Sequence, residues 1–252
     1  MSTRKLLIPL PTYGFDPTEV AIPWSILSRQ GVKVVFATPD GKCAAADHKI
    51  LTGQGLGIFR KILMARQDAV VAYRDMEKDH AFQHPMTYAD LKEIDFNGLL
   101  LPGGHDKGVR AYLESSKLHQ VAAEFFFREK PVAAICHGVV LAARSNDPET
   151  KRSVIHNYKT TSLLKSQELT AFNITRLWLG DYYLTYPGLT VEDEVKSVLR
   201  DAKHFIIGPM AMMRDDFEHL SRGFVVRDRN YLSARWPGDA YNFALELARM
   251  ME

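Results

Sequence analysis

The sequence predicts an α/β fold, with a doubly wound, mostly parallel sheet sandwiched by helices and extended by helical insertions. A strand, helix and strand pattern opens the chain, and later apolar runs are each followed by glycine and helix-like sequence. Hydrophobic residues make up 46% and charged residues 25% of the 252 residues, a composition typical of a globular protein with a large core. No linker, repeat or low-complexity tract is evident, so we expect one domain over residues 1–252.

The opening unit consists of two apolar runs separated by a helical pattern. Residues 6–10 and the β-branched run at 32–38 are both followed by proline, as buried strands often are. Between them, residues 19–30 carry apolar side chains at helical spacing, and Gly31 follows where a helix C-cap belongs. We therefore predict two parallel strands joined by a helix that begins at Glu19.

Further strands are predicted from the apolar runs that follow. Those at 96–101 and 132–135 are continuous, as strands covered by helices on both faces require. Strands are also predicted at 154–162, 205–207, 224–226 and 231–234. Asp239 is expected to cap a last helix that runs to the C-terminus.

Two long segments, 54–88 and 162–198, read as mostly helical insertions rich in aromatic and charged residues. Insertions on an α/β core often build the walls of a site. The second segment holds aromatic side chains that could line a pocket, form a subunit contact or pack in the core: Trp178, Tyr182, Tyr183 and Tyr186.

Charge and cysteine content exclude several classes of function. With 32 basic and 30 acidic side chains, the chain has no electrostatic signature for nucleic acid or anionic membranes. The cysteines, Cys43 and Cys136, are too few for a disulfide framework, which favours a reducing cytoplasm. The N-terminus lacks an export-type apolar segment, and no membrane span is expected. His80 and His84 have metal-ligand spacing but no evident third ligand, so no metal site is predicted.

Cys136 is the strongest candidate for a reactive residue. It follows the predicted strand at 132–135 and precedes His137 and a helix that starts at Gly138. A side chain in such a turn lies beside unpaired backbone N–H groups and the positive end of the helix. This setting favours the thiolate, the nucleophilic form. We predict that Cys136 is an activated cysteine, whereas Cys43 lies in a polar loop and is expected to be inert.

A glycine pair follows the strand predicted at 96–101. Gly103 and Gly104 let the backbone approach a ligand closely, and their N–H groups could stabilise an oxyanion. With the adjacent His105, and with Gly138 after the cysteine, these residues are assigned to oxyanion and substrate binding.

Acidic residues complete the predicted constellation. If the first strand and the strand before Cys136 are neighbours, Glu19 faces the sulfur and, when protonated, can hydrogen-bond the thiolate. His137 needs an acidic partner before it can act as a general base or acid. Glu168 and Asp181 are both candidates for that partner.

These residues resemble the ThiJ/PfpI superfamily. The resemblance rests on the turn Cys136-His137-Gly138, on Pro102-Gly103-Gly104-His105, on Glu19 four residues before Pro23, and on residues 34–39, 190–195 and the C-terminal strand, loop and helix. It implies the flavodoxin-like sandwich of class I glutamine amidotransferase-like proteins. Within the superfamily the chain looks most similar to the heat-shock glyoxalase III branch, whose members are also described as chaperones and protein deglycases.

The resemblance implies a role for each matching residue. Cys136 would be the nucleophile, His137 its base and acid, and Glu19 the carboxyl partner of the sulfur. Gly104 and His137 would donate backbone N–H groups to an oxyanion, and Glu168, at matching spacing from the cysteine, would orient the histidine. The sequence departs from the branch at Val139, where proline is usual, and in the aromatic stretch around Trp178.

The function expected from this resemblance is a cofactor-independent enzyme acting on small reactive carbonyls, converting methylglyoxal to lactate. A small-molecule carbonyl substrate, a homodimer and no cofactor are therefore expected. Two alternatives stay open: a cysteine hydrolase of amide, peptide or ester bonds, and a holdase chaperone or redox sensor that uses the same cysteine.

Overall fold

The computed structural model describes residues 4–210 and 213–252, in which strands and helices alternate along much of the chain. The strands are β1 (Lys5–Pro9), β2 (Tyr13–Phe15), β3 (Lys33–Thr38), β4 (Ala45–Ala46), β5 (Met86–Thr87), β6 (Gly98–Leu101), β7 (Val132–Ile135), β8 (Val225–Asp228) and β9 (Tyr231–Ala234). The helices are α1 (Pro17–Arg29), α2 (His48–Thr52), α3 (Arg60–Leu63), α4 (Gln67–Met76), α5 (His80–Gln83), α6 (Arg110–Leu113), α7 (Ser116–Phe127), α8 (Gly138–Arg144), α9 (Lys165–Leu179), α10 (Val191–Val198) and α11 (Ala240–Met250).

Seven of the described strands form one sheet in the order β5-β3-β1-β6-β7-β9-β8. All neighbours are parallel except β8 and β9, which are antiparallel. The mostly parallel α/β prediction is confirmed. The chain moves outward in one direction from β1 and in the other from β6, so the strand order reverses between these two strands. Ligands of open α/β sheets bind at the carboxyl ends of strands beside such a reversal.

Helices cover both faces of the sheet, which explains the continuous apolar runs. Every residue of β6, β7 and β9 is buried. Helix α1 packs on α4 and α11, and α7 packs on α8, which also contacts α10. Strands covered on both faces need apolar side chains at every position.

Two predicted strands are absent. Within 154–162 and 205–207 the only pairing among the described residues is an isolated bridge between Thr160 and Phe205. Both edges of β9 are already occupied by β7 and β8. The intervening backbone is satisfied differently, since the Thr161 N–H donates to the Ser233 hydroxyl at 2.9 Å.

Helix starts also differ from the sequence prediction. Helix α1 begins at Pro17, and its N-cap is Asp16, whose carboxylate accepts from the N–H groups of Thr18 and Glu19. Glu19 is therefore the third residue of the helix. Asp239 precedes α11, but its carboxylate accepts from Phe224 N at 2.8 Å and pairs with Arg235 instead of capping the helix.

The two insertions are mostly helical, as predicted. Segment 54–88 contains α3, α4 and α5, and segment 162–198 contains α9 and α10. In the described ranges, no helix combines the length and apolar character needed to cross a membrane.

Candidate active site

The residues predicted to carry chemistry meet at the carboxyl ends of β6 and β7. Gly103 lies between three of these residues. A Cβ atom built on it would lie 2.7 Å from His137 N, 2.9 Å from Glu19 Oε2 and 3.0 Å from Cys136 Cβ. These separations leave no room for a side chain at position 103, so the glycine is what lets the other three residues converge.

Glu19 reaches this point by a route that differs from the expected one. Strands β1 and β7 are not neighbours, because β6 lies between them. Glu19 instead stands above the end of β6, where its Oε2 accepts a hydrogen bond of 2.8 Å from Gly103 N. The predicted proximity to Cys136 holds, although the strand adjacency on which it was based is wrong.

Cys136 occupies a strained turn between β7 and α8. Its φ of +57° lies in the left-handed region, which a non-glycine residue rarely adopts. The Cys136 N–H donates to Ala234 O at 3.1 Å, which anchors the turn to β9. The next helix packs so closely that a Cβ on Gly138 would lie 2.0 Å from Leu101 O. A strained residue held in this way is typical of a nucleophile elbow.

The surroundings of the sulfur favour its protonated form. Cys136 is 1% exposed, and burial raises the pKa of its thiol well above its ordinary value, with the carboxyl groups of Glu19 and Asp16 acting in the same direction. The backbone N–H of His137 opposes this effect on the pKa only in part. Burial therefore acts against the ionisation that the turn was predicted to favour, and the activation of Cys136 stays a prediction.

Glu19 is also neutral. Its side chain is fully buried, and burial, followed by the charge of Asp16, raises its pKa well above the usual range. Oε2 accepts from Gly103, whereas the buried Oε1 has no hydrogen-bond partner among the described residues. A proton on Oε1 would be available to a sulfur anion once one forms.

His137 is oriented by a threonine. Its Nδ1 lies 3.4 Å from Cys136 Sγ, and its Nε2 lies 3.0 Å from Thr185 Oγ1. The hydroxyl of Thr185 has a single hydrogen, and it donates to His105 O at 3.0 Å. The remaining hydrogen bond must therefore run from Nε2–H of His137 to Oγ1. This tautomer leaves Nδ1 free to accept the thiol proton.

The imidazole of His137 is neutral at physiological pH. Its side chain is fully buried, and burial, together with the neighbouring His105, lowers its pKa well below the ordinary value. A neutral imidazole with a bare nitrogen facing a thiol is a general base.

The structure corrects the assignment of Glu168 as the residue that orients His137. Oε2 of the buried Glu168 accepts from Val191 N at 2.9 Å, at the start of α10. Asp181, the other candidate, pairs with Lys107 at 2.6 Å. The sequence carried no signal for Thr185, because its position over the histidine depends on how the segment after α9 folds back.

The ionisation of Glu168 is expected to make the stability of the fold depend on pH. Burial raises its pKa to about 7, so the folded state binds this proton more tightly than the unfolded state. The resulting loss of folding stability is absent below about pH 4.5, grows as pH rises and is complete above about pH 7. The Glu168→Gln variant cannot ionise and keeps an acceptor for Val191.

We therefore expect Glu168→Gln to gain stability relative to wild type as pH rises, by on the order of 3 kcal/mol between pH 4 and pH 8. Urea unfolding across this range measures the difference. The exposed Glu218 gives the matched control, Glu218→Gln, which should show no such trend. A Glu168→Gln difference that is constant with pH would contradict the assignment.

The remaining predicted binding residues surround the elbow. The N–H of Gly103 is engaged by Glu19 and is not available to an oxyanion. Gly104 packs against the first loop, where a Cβ would lie 2.4 Å from Gly14 O, and its own N–H has no acceptor among the described residues. His105 is half-buried, and desolvation of its ring lowers its pKa to about 4.

The aromatic stretch after α9 joins the two insertions. Trp178 Nε1 donates to Gly55 O at 2.9 Å and its ring stacks on Phe59. The Tyr182 hydroxyl donates to the carboxylate of Asp47. His80 and His84 stack on each other, and nowhere in the described residues do three His, Cys, Asp or Glu side chains form a metal-type group.

The chain is similar in sequence to a family of known proteins. A family model described as ThiJ/PfpI family-like matches residues 10–209. An uncharacterized protein of Schizosaccharomyces pombe is 30% identical over 125 residues, which cover 49% of this chain and 45% of that protein. The glutathione-independent glyoxalase hsp3102 of the same yeast is 26% identical over 159 residues, or 62% of each chain. The chain thus spans about half to three-fifths of these curated relatives.

A solved structure covers nearly all of the chain. The crystal structure of glyoxalase III from Candida albicans matches with a TM-score of 0.70 over 99% of this chain and 98% of that one. The sequence identity is 18%, so this likeness establishes the shared fold.

Proposed function

The chain belongs to the ThiJ/PfpI family, and on that premise we propose that it is a cysteine-dependent glyoxalase that converts methylglyoxal to lactate without glutathione or another cofactor. One observation carries the proposal: Cys136 Sγ lies beside the bare Nδ1 of His137 and a neutral Glu19 in a site closed to solvent. The glyoxalase names of the curated and structural relatives support the same reaction class.

The first step is addition of the sulfur to the aldehyde carbon. As the carbon–sulfur bond forms, the thiol proton passes to Nδ1 of His137, so a free thiolate need not accumulate. The aldehyde oxygen becomes an oxyanion, which the free N–H of Gly104 can stabilise and which Glu19 can protonate. The product is a hemithioacetal bound to Cys136.

The second stage is an internal redox rearrangement. The carboxylate of Glu19, formed when this residue protonated the oxyanion, removes the proton on the former aldehyde carbon and gives an enediol. The neighbouring carbon is then protonated as the enediol becomes a thioester. The aldehyde carbon is oxidised to a thioester and the ketone carbon is reduced to an alcohol. Water then cleaves the thioester, which releases lactate and restores the thiol, so no external oxidant or reductant is needed.

The hydrolase alternative uses the same sulfur, histidine and oxyanion donor. Redox sensing receives less support, because a buried thiol with a raised pKa is a poor target for oxidation. The two enzymatic alternatives separate in one experiment. Purified protein is incubated in EDTA, without glutathione, with methylglyoxal or with an activated ester, and lactate and the released alcohol are quantified.

We expect lactate to form from methylglyoxal faster than the ester is cleaved. Lactate formation under these conditions supports the proposal, since EDTA and the absence of glutathione exclude metal-dependent and glutathione-dependent glyoxalases. Ester cleavage without lactate formation would overturn the proposed glyoxalase function and would indicate a cysteine hydrolase.

Thr185 is proposed to act as a positioning residue for His137. Thr185→Val removes the acceptor for Nε2–H, so the ring can rotate and the other tautomer becomes populated. We expect kcat for methylglyoxal to fall about 10-fold with KM changed less than about twofold. Thr185→Ser, which keeps the hydroxyl, should restore most of the rate. Equal losses in the valine and serine variants would indicate a packing role.

Three further predictions accompany this proposal: one ThiJ/PfpI-like domain over residues 1–252, a homodimer and a cytoplasmic location. Light scattering of the purified protein tests the dimer directly.

A further inference from the structure

Besides Glu19 Oε1, four further buried polar atoms are used in this inference because they have no hydrogen-bond partner among the described residues. They are His105 Nδ1, Tyr183 Oη, Arg214 Nη1 and Trp236 Nε1. Buried polar atoms are nearly always paired, because an unpaired one costs about 1–3 kcal/mol. Several such atoms in one place indicate a site built for a polar ligand.

One of these side chains, His105, lies next to His137, and Tyr183 lies next to His105. The ring of His105 is 4.9 Å from the ring of His137 and 4.9 Å from the ring of Tyr183, in edge-to-face arrangements. Tyr183 is two residues before Thr185, which bonds His137. One wall of the site is therefore made by the segment after α9.

The other two side chains come from the loop before β8 and from the residues just after β9. The guanidinium of Arg214 lies over the ring of Trp236, 5.8 Å from its centroid. Trp236 is two residues beyond Ala234, whose carbonyl accepts from Cys136 N. Arg214 also lies within electrostatic range of Tyr183, since its charge acts to lower the pKa of that phenol. The described contacts thus link Tyr183 to His137 through His105, and Arg214 to Trp236.

Arg214 is a cation whose Nη1 has no hydrogen-bond acceptor among the described residues. Among the described residues no carboxylate forms an ion pair with it, and its Nη2 donates only to the backbone oxygen of Ile62, at 3.2 Å. Asp16 is in electrostatic range, but an Asp16 oxygen caps α1. A half-buried guanidinium whose Nη1 lacks an acceptor remains charged, and the nearby carboxyl groups of Asp16 and Asp68 offset the cost of its desolvation only in part. An anionic ligand would remove this cost.

The chemistry of the unpaired atoms specifies the anion. The guanidinium and the indole can only donate hydrogen bonds, and the phenol donates readily. A planar carboxylate offers two acceptor oxygens and a negative charge, which suits an arginine flanked by neutral donors.

We propose that Arg214, together with Tyr183 and Trp236, forms a carboxylate-binding subsite beside Cys136, and that the preferred substrates are α-oxoaldehydes that carry a carboxylate. The substrate assignment rests on the proposed glyoxalase function. With 4,5-dioxopentanoate the sulfur adds to the aldehyde and the same rearrangement and hydrolysis follow. One water is consumed and 2-hydroxyglutarate is released.

Binding can be tested without turnover. Glutarate, a dicarboxylate with no reactive carbonyl, is titrated calorimetrically into the Cys136→Ala variant and into the same variant carrying Arg214→Gln. We expect Arg214→Gln to weaken glutarate binding by at least about 30-fold. Arg227→Gln removes an equal charge from an exposed position on strand β8 and should have no effect. If Arg214→Gln does not fold, Tyr183→Phe, which deletes one donor, should weaken binding about 5-fold.

Substrate preference provides the second measurement. The ratio of kcat/KM for 4,5-dioxopentanoate to that for methylglyoxal should exceed about 10 in the wild type and fall at least 10-fold in Arg214→Gln. Absence of glutarate binding, or binding unchanged by Arg214→Gln, overturns the subsite even if lactate is formed. Arg214-dependent binding without turnover of either aldehyde would retain the subsite and overturn the glyoxalase function.

Discussion

The Cys136→Ala variant is expected to lose lactate formation, with kcat/KM for methylglyoxal reduced at least about 1,000-fold. The reason is that the hemithioacetal and the thioester are both bonded to this sulfur, and no other side chain in the site can replace it. Both His137 and Glu19 are neutral and placed to move protons, not to add to a carbonyl. The measurement is a steady-state lactate assay.

The second cysteine provides a matched control. Cys43 is exposed and lies in a different loop, so Cys43→Ala should retain wild-type activity. Circular dichroism of both variants shows whether the fold is kept. A Cys136→Ala protein that folds and retains more than a tenth of the activity would remove the sulfur from the mechanism.

Gly138→Ala is expected to have the largest effect on stability among the single substitutions considered. The new Cβ would lie 2.0 Å from Leu101 O and 2.6 Å from Leu101 C, which are backbone atoms of a central strand. Neither can move without displacing β6, so the helix and the elbow must shift. We expect a loss of about 3 kcal/mol or more and a Tm lower by roughly 10 °C, measured by thermal unfolding.

Gly180→Ala separates this collision from backbone strain. Gly180 has a φ of +59°, and nothing lies within 4 Å of an added Cβ. Its substitution should cost about 1–3 kcal/mol, the penalty of a backbone conformation that residues with a side chain rarely adopt. If Gly138→Ala is no less stable than Gly180→Ala, the tight packing of α8 on β6 is not what holds the elbow.

The burial of the active site affects how Cys136 is activated. A helix end beside a thiol favours ionisation, but here burial and two nearby carboxyl groups raise the pKa of Cys136. Activation therefore depends on transfer of the proton to His137 during addition. Because Thr185 both orients His137 and belongs to the segment after α9, movement of that segment would alter the base as well as admit substrate.

The sequence by itself determined the fold class and three of the residues at the site. Continuous apolar runs and a helix at the right spacing are local patterns, and they identified β1, β3, β6, β7 and β9. In a parallel sheet the carboxyl ends of all strands lie at the same edge of the sheet. Cys136, Gly103 and Glu19 could therefore be assigned to that edge before their contacts were known.

Only the tertiary structure decided the protonation states, the partner of His137 and the surroundings of the sulfur. A pKa depends on burial and on charges that come from distant parts of the chain, as Asp16 and Glu19 do for Cys136. Spacing along the chain suggested Glu168, but the folded segment places Thr185 on the histidine. No sequence pattern pointed to Arg214 either, because a side chain that lacks a hydrogen-bond acceptor can be recognised only when its neighbours in the folded structure are known.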